Sequence, residues 1–156
     1  MAPVLGFALL LLIFSIGIFL PFFNFFVSRN KKISLIDLEK ISRNLVALML
    51  VSSVLTQLCL IYSFMISDYS VVNVYKNSHH LKPLIYKIAG SWGNHEGSML
   101  LLITTLCAYT LAFAFLSKIR TQEKVIIISS ISNHHAFRSF YRFYFQPIFT
   151  NFSYAK

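Results

Sequence analysis

Three long stretches without a single charge constrain this chain more than any other feature. Val4–Val27 runs for 24 residues, Leu45–Ser67 for 23 and Met99–Ser117 for 19, with no Asp, Glu, Lys or Arg in any of them. A helix rises about 1.5 Å per residue, so about 20 apolar residues cross a hydrocarbon core of roughly 30 Å. Hydrocarbon offers the backbone no hydrogen-bond partner, so a single run must cross as a helix that satisfies its own amides. The expected fold class is all-α, a polytopic helical membrane protein. It has transmembrane helices at 4–27, 45–67 and 99–117, plus a short interfacial helix. Of 156 residues, 56% are hydrophobic and only 12% are charged, against about 25% charged in a soluble domain. The formal charge of +9 is therefore read as a topology signal. The expected partner is the lipid bilayer, and no nucleic acid.

The first run lacks the basic leader and the small-residue cleavage site of a secretory signal. Its apolar core is also too long, so it is expected to stay as a helix, with Pro21 bending its inner end. A fourth apolar run, Val125–Ser132, is only eight residues long, too short to span. Cys59 and Cys107 fall inside spanning runs without CxxC spacing, and read as small apolar residues.

Loop charge orients the chain. Residues 28–44 carry Arg29, Lys31, Lys32, Lys40 and Arg43, and residues 118–124 carry Lys118, Arg120 and Lys124. The connection 68–98 carries only Lys76, Lys82 and Lys87. The positive-inside rule puts the first two loops inside, and the N-terminus and residues 68–98 outside. In the first loop, Ser34 is expected to cap a helical foot with Asp37 three residues on. In the outer segment, Tyr69–Tyr75 is rich in β-branched and aromatic residues and reads as extended chain. Asn77–His80 reads as a turn, with His79 and His80 solvated. Pro83 is expected to open a short helix over 84–91.

The outer segment ends in Trp92-Gly93-Asn94-His95-Glu96-Gly97-Ser98, directly before the third run. An acid and an imidazole beside hydrocarbon are costly unless paired or hydrated, so the cluster is a candidate functional site. Two readings stand side by side. In one, Trp92 anchors at the headgroups, Gly93 and Gly97 supply a turn with access to positive φ and close backbone approach, and Asn94 or Ser98 caps the helix. Glu96 then gains from the helix dipole. In the other, His95 and Glu96 contact a ligand or partner. The residues do not form a HExxH zinc motif, because Met99 stands where the second His belongs.

The strings Asn73-Val74-Tyr75-Lys76-Asn77-Ser78 and Leu84-Ile85-Tyr86-Lys87-Ile88-Ala89-Gly90-Ser91-Trp92-Gly93-Asn94-His95-Glu96-Gly97-Ser98-Met99-Leu100-Leu101 resemble the CcmF family. The likeness is strongest over 68–102 and looser over 4–118. The resemblance implies a cytochrome c-type biogenesis protein, the haem lyase component of cytochrome c maturation. It implies haem as cofactor, with the ligating histidines and a tryptophan-rich segment lying outside this chain. It also implies a haem chaperone, other maturation subunits and apocytochrome c as partners, with thioether bonds formed at the haem vinyl groups. Location is then the bacterial inner membrane or, alternatively, the mitochondrial inner membrane. The haem- or partner-facing residues would be Trp92, Gly93, His95, Glu96, Gly97 and Ser98, without a catalytic residue or metal ligand among them. Whether the piece is an enzyme on its own is left open, and it is expected to be inactive alone. Leu102 stands where the family has Trp, and the acidic residue before its first helix is missing.

The match fades near Ile131. This gives an expected organisation of a CcmF-like membrane region over 1–118, an incomplete fourth helix over 119–132 and an atypical tail over 133–156. The tail is expected to be frameshifted, truncated or the product of a split gene. A competing reading is an interfacial helix with Arg138 and Arg142 one turn apart. The reading frame immediately after Lys156 decides between them. Outside the family, the runner-up is a small structural or assembly subunit of a respiratory membrane complex with no haem role. A transporter is disfavoured, because no charge lies at mid-membrane depth.

Overall fold

The computed structural model describes residues 2–29 and 34–132. Lys31 and Lys32 of the first loop, and the expected atypical tail, lie outside the described residues. In order come α1 (Ala2–Arg29), α2 (Leu35–Met65), α3 (Val72–Asn77), α4 (Leu84–Gly90) and α5 (His95–Leu116). Residues 121–132 form a further helix, α6. No strand occurs among the described residues. Three helical segments are long and apolar enough to cross a membrane, Ala2–Val27, Leu35–Met65 and His95–Leu116. The protein is an all-α, multi-pass membrane protein.

Side-chain packing sets the direction of each crossing. At one end Phe7 and Leu10 of α1 pack on a cluster of Leu60, Phe64 and Leu100. In the middle, Ile13 and Ile16 meet Met49, Ile103 and Cys107. At the other end, Leu20 meets Val46, Ala114 and Ile128. Residue numbers rise along α1 and α5 and fall along α2, so α2 runs antiparallel to both. Pro21 sits inside α1 without ending it.

Between these clusters the α2 interface is polar but short-chained. Ser52, Ser53, Thr56 and Ser63 are buried there, and small side chains let neighbouring helices approach closely. Their hydroxyls turn back onto their own helix. Thr56 Oγ1 donates to Ser52 O at 2.8 Å and Ser63 Oγ to Cys59 O at 3.0 Å. On α5, Thr110 Oγ1 donates to Leu106 O at 2.8 Å. A buried hydroxyl thereby avoids the cost of an unmade hydrogen bond without needing another helix.

Helix α2 has 31 residues, about 46 Å at 1.5 Å per residue, well beyond the hydrocarbon thickness. Its first turns carry Asp37, Glu39, Lys40 and Arg43, so the expected foot is the start of α2 itself. Ser34 is the N-cap, its side chain accepting from Ile36 N at 3.3 Å. Here α6 returns to the bundle. Lys124 Nζ lies 3.5 Å from Glu39 Oε1, and the Arg43 guanidinium sits 4.8 Å from the Phe115 ring centre. These contacts bring the two basic loops to one end of the bundle.

At the opposite end, α2 closes in a Schellman arrangement. Ser67 takes φ 53, with Ser67 N donating to Phe64 O at 3.2 Å and Asp68 N to Ser63 O at 2.9 Å. Glycine is the common residue at this left-handed position. Ser67 holds it with its hydroxyl accepting from Lys87 Nζ at 2.6 Å. Beyond it, the segment expected to be extended is helical. Val71 caps α3, and Val71 and Val74 are both fully buried beside Leu60, Phe64 and Leu100. A spacing of three puts both valines on one side of a helix, whereas a strand would point them to opposite faces. Tertiary burial here overrides β-propensity.

One polar contact joins three helices at the α6 end. Asn24 Nδ2 donates to Ser129 Oγ at 2.5 Å, and Ser42 Oγ donates to Asn24 Oδ1 at 2.9 Å. Asn24→Ala is expected to destabilise the chain by about 1–2 kcal/mol, the range for interhelical hydrogen bonds in membranes. Thermal unfolding in detergent micelles measures it, and an unchanged midpoint would remove this contact from the account of the fold.

Candidate functional site

The candidate site is the turn from α4 into α5. Pro83 is the cap residue of α4 rather than its first helical residue, with φ −56 and ψ 149. After α4 the chain tightens. Ser91 N donates to Ile88 O at 3.0 Å and Gly93 N to Ala89 O at 2.9 Å. Ser91 is fully buried, and its hydroxyl donates to Ile88 O at 2.7 Å.

Asn94 organises the entry into α5. With φ −107 and ψ 165 it is the N-cap of that helix, and its Oδ1 accepts from Gly97 N at 2.6 Å. Asn and Asp are favoured here because a short side-chain acceptor satisfies an amide that the first turn leaves unpaired. The other side of the same amide reaches back, Asn94 Nδ2 donating to Gly90 O at 2.8 Å. Asn94 Oδ1 also accepts from Asn73 Nδ2 at 3.4 Å. Asn73 is itself buried and bonded to Asn77, whose Nδ2 donates to Asn73 Oδ1 at 2.8 Å. A single side-chain amide thus ties α3, α4 and α5 together.

The glycines act by closeness and not by backbone sign. No described glycine has positive φ, so of the two expected uses of Gly93 and Gly97 the left-handed turn is not taken and the close backbone approach is. A Cβ on Gly97 would lie 1.7 Å from Ser91 O and 2.7 Å from Ser91 C, so the 91–92 backbone lies directly against α5 there. At Gly93 the nearest atom is Ala89 O at 3.1 Å.

The turn buries Gly97, half-buries Asn94 and Glu96, and leaves Trp92, Gly93, His95 and Ser98 exposed. The Trp92 side chain is 40% exposed, enough to keep a ring edge in contact with the surroundings. His95 and Glu96 occupy the first turn of α5, where a carboxylate gains about 0.3–1 kcal/mol from the helix dipole. Ser98 is not the cap, and its hydroxyl donates to His95 O at 3.0 Å. His79 and His80 lie in a turn closed by Lys82 N donating to His79 O at 3.1 Å, and both are exposed. Among the described residues, no three His, Cys, Asp or Glu side chains group as a metal site.

Known proteins share sequence and fold with this chain. No protein-family model matches the chain. It is 65% identical over 43 residues to the cytochrome c-type biogenesis protein CycK of Bradyrhizobium diazoefficiens, covering 28% of this chain and 6% of that protein. It is 33% identical over 132 residues to the cytochrome c-type biogenesis protein NrfE of Haemophilus influenzae, covering 85% of this chain and 20% of the relative. A solved structure of the cytochrome c haem lyase CcmF matches 97% of this chain with a TM-score of 0.84, at 17% identity and over 25% of its own length. The chain is similar to cytochrome c-type biogenesis proteins of the CcmF kind over this stretch, and it shares their fold.

The CcmF fold accounts for the all-α spans, and the relatives lend no support to an unrelated structural subunit of a respiratory complex. The chain spans a small part of these relatives' length, 6% of CycK and 20% of NrfE. Sequence reading missed the Asn73–Asn77–Asn94 network. Its signal is visible in retrospect as asparagines in segments otherwise dominated by β-branched, aromatic or glycine residues.

Gly97→Ala is expected to destabilise by about 1–3 kcal/mol or more, the range for overpacking, because the atom it meets is backbone. Gly93→Ala, with only a tight 3.1 Å contact, is expected to cost less. Comparing thermal midpoints of the two variants checks the order, and equal midpoints would contradict it.

Proposed function

We infer that this chain forms part of an outer-face surface that handles haem during attachment to apocytochrome c. The observation that carries the reading is 65% identity over 43 residues with a cytochrome c-type biogenesis protein. Haem is the proposed cofactor of the larger family protein. When bound, it supplies vinyl groups across which cysteine thiols add to form thioethers. The residues of this chain fit such a group as a docking face and not as a closed cage. The exposed His95 offers an imidazole, and the half-exposed Trp92 offers an apolar ring three residues earlier. Glu96, Gly93, Gly97 and Ser98 hold that turn in shape. A haem chaperone, the other maturation subunits and apocytochrome c are the proposed partners.

The proposed location is the bacterial inner membrane, with the N-terminus and residues 68–98 on the periplasmic side. The mitochondrial inner membrane with the corresponding topology is the alternative. Support comes from the basic residues. Lys124 pairs with Glu39 and Arg43 lies over Phe115 at one end of the bundle, away from the α3–α4 connection. A cytoplasmic signal from a reporter inserted beside Lys76 would reverse this orientation, and a periplasmic signal is expected.

His95→Ala is expected to lower the yield of covalent holocytochrome c at least tenfold at unchanged level of the chain, about 1.4 kcal/mol or more in effect. Haem staining of the cytochrome, with immunoblotting of the chain, measures both. Undiminished yield at equal level would leave His95 with only a structural place in the first turn.

A further inference from the structure

A second feature lies on the same end of the bundle as the candidate site but in different residues. A pocket of about 740 Å³ opens beside α3 and the turn that follows it, lined by Tyr69, Tyr75, Lys76, Ser78, His79 and Lys82. Two lysines and an imidazole share it with two phenolic rings, and no carboxylate lines it among the described residues. The acid nearest in sequence, Asp68, is engaged locally. Its Oδ1 accepts from Ser70 N at 3.1 Å and from Ser70 Oγ at 2.6 Å. Lys82 is held over the pocket, its Nζ donating to Asn77 O at 3.0 Å, so one ammonium is positioned before any ligand arrives. In the floor, Ser78 is 8% exposed and its hydroxyl has no partner among the described residues. A buried hydroxyl without a partner is uncommon enough to call for one.

The surroundings bear on which class of anion such a pocket suits. The pocket follows α2 by only a few residues, so it sits where a spanning helix leaves the hydrocarbon. Next to Lys82, Leu81 is 92% exposed, and Leu84 and Ile85 on α4 are 54% and 77% exposed. No residue of α4 is buried. Exposed tyrosines beside lysines and unburied aliphatic side chains match the layered chemistry of a headgroup region, polar above and apolar below. We propose that this pocket binds the phosphate group of an anionic phospholipid, with its acyl chains lying along Leu81, Leu84 and Ile85. Lys76 and Lys82 supply the charge, and the tyrosine hydroxyls and Ser78 supply neutral donors. The site is independent of the haem-handling reading, because none of its residues belongs to the Trp92–Ser98 turn.

The test uses the full chain in nanodiscs of phosphatidylcholine with or without phosphatidylglycerol, and native mass spectrometry of lipid that stays bound. Phosphatidylglycerol is expected to be retained over phosphatidylcholine, and the preference should fall about tenfold or more in Lys76→Gln/Lys82→Gln, from two basic groups near a membrane surface. His95→Ala should leave it unchanged. Equal retention of both lipids by the unaltered chain would overturn the proposal, whatever the fate of the double variant. So would displacement of the retained lipid by millimolar inorganic phosphate, which would mark a site for the free anion. A double variant that keeps the helical content of the parent and the full lipid preference would overturn it too.

Discussion

Hydrocarbon supplies no hydrogen-bond partner, and nearly every feature of this chain depends on how its polar groups meet that condition. Along the spans, hydroxyls of Ser and Thr bond back to carbonyls one turn earlier, as Thr56 does to Ser52 and Thr110 to Leu106. Side chains that need a partner from another helix are placed near the ends. Asn24 finds Ser42 and Ser129 at one end, and Asn73, Asn77 and Asn94 find each other at the opposite end. Gln57 departs from the pattern. It lies inside α2, 7% exposed, with both amide atoms unpartnered among the described residues.

The turn into α5 shows how one side-chain amide substitutes for a larger core. Helices α3 and α4 are six and seven residues long, too short to be stable alone. They hold because α3 packs Val74 and its cap Val71 into the core and because Asn94 bonds both to Gly90 O and to Asn73. Gly97 lets the 91–92 backbone lie against α5, which brings Asn94 within reach of the Gly97 amide. The exposed His95 and Trp92 are therefore carried on a turn made rigid from beneath. For the proposed docking face this matters, since ordering a loop on binding costs conformational entropy.

How much of this was legible in the sequence depends on the range of the interaction. Ser34 as a cap, the short helix after Pro83 and the three spans rest on local composition, and all were readable. Asn94 was readable as one of two capping candidates. The helix over Val72–Asn77 was not readable, because its residues favour strands and only the buried pocket beside Leu60, Phe64 and Leu100 selects a three-residue spacing. Close approach at Gly97 was readable as one of two uses of a glycine, but its partner was not. The atom it meets belongs to Ser91, which lies six residues back and is brought near only by the turn. The candidate residues Trp92 to Ser98 stand out in the sequence as a motif, through likeness to the CcmF family.

By itself the sequence determined that this is a helical membrane protein with three spans among the described residues, because charge-free length is a local property and hydrocarbon thickness is a constant. It also carried the likeness to the CcmF family, through a long and unusual string around His95. Only the tertiary structure decided that α2 runs antiparallel to α1 and α5 with matched cluster levels. Only it decided that a single asparagine amide joins α3, α4 and α5, and that Lys76, Ser78 and Lys82 line one pocket. Those are matters of which distant residues touch. Contacts across more than a helical turn carry no local signature, and they emerge only once the chain has folded back on itself.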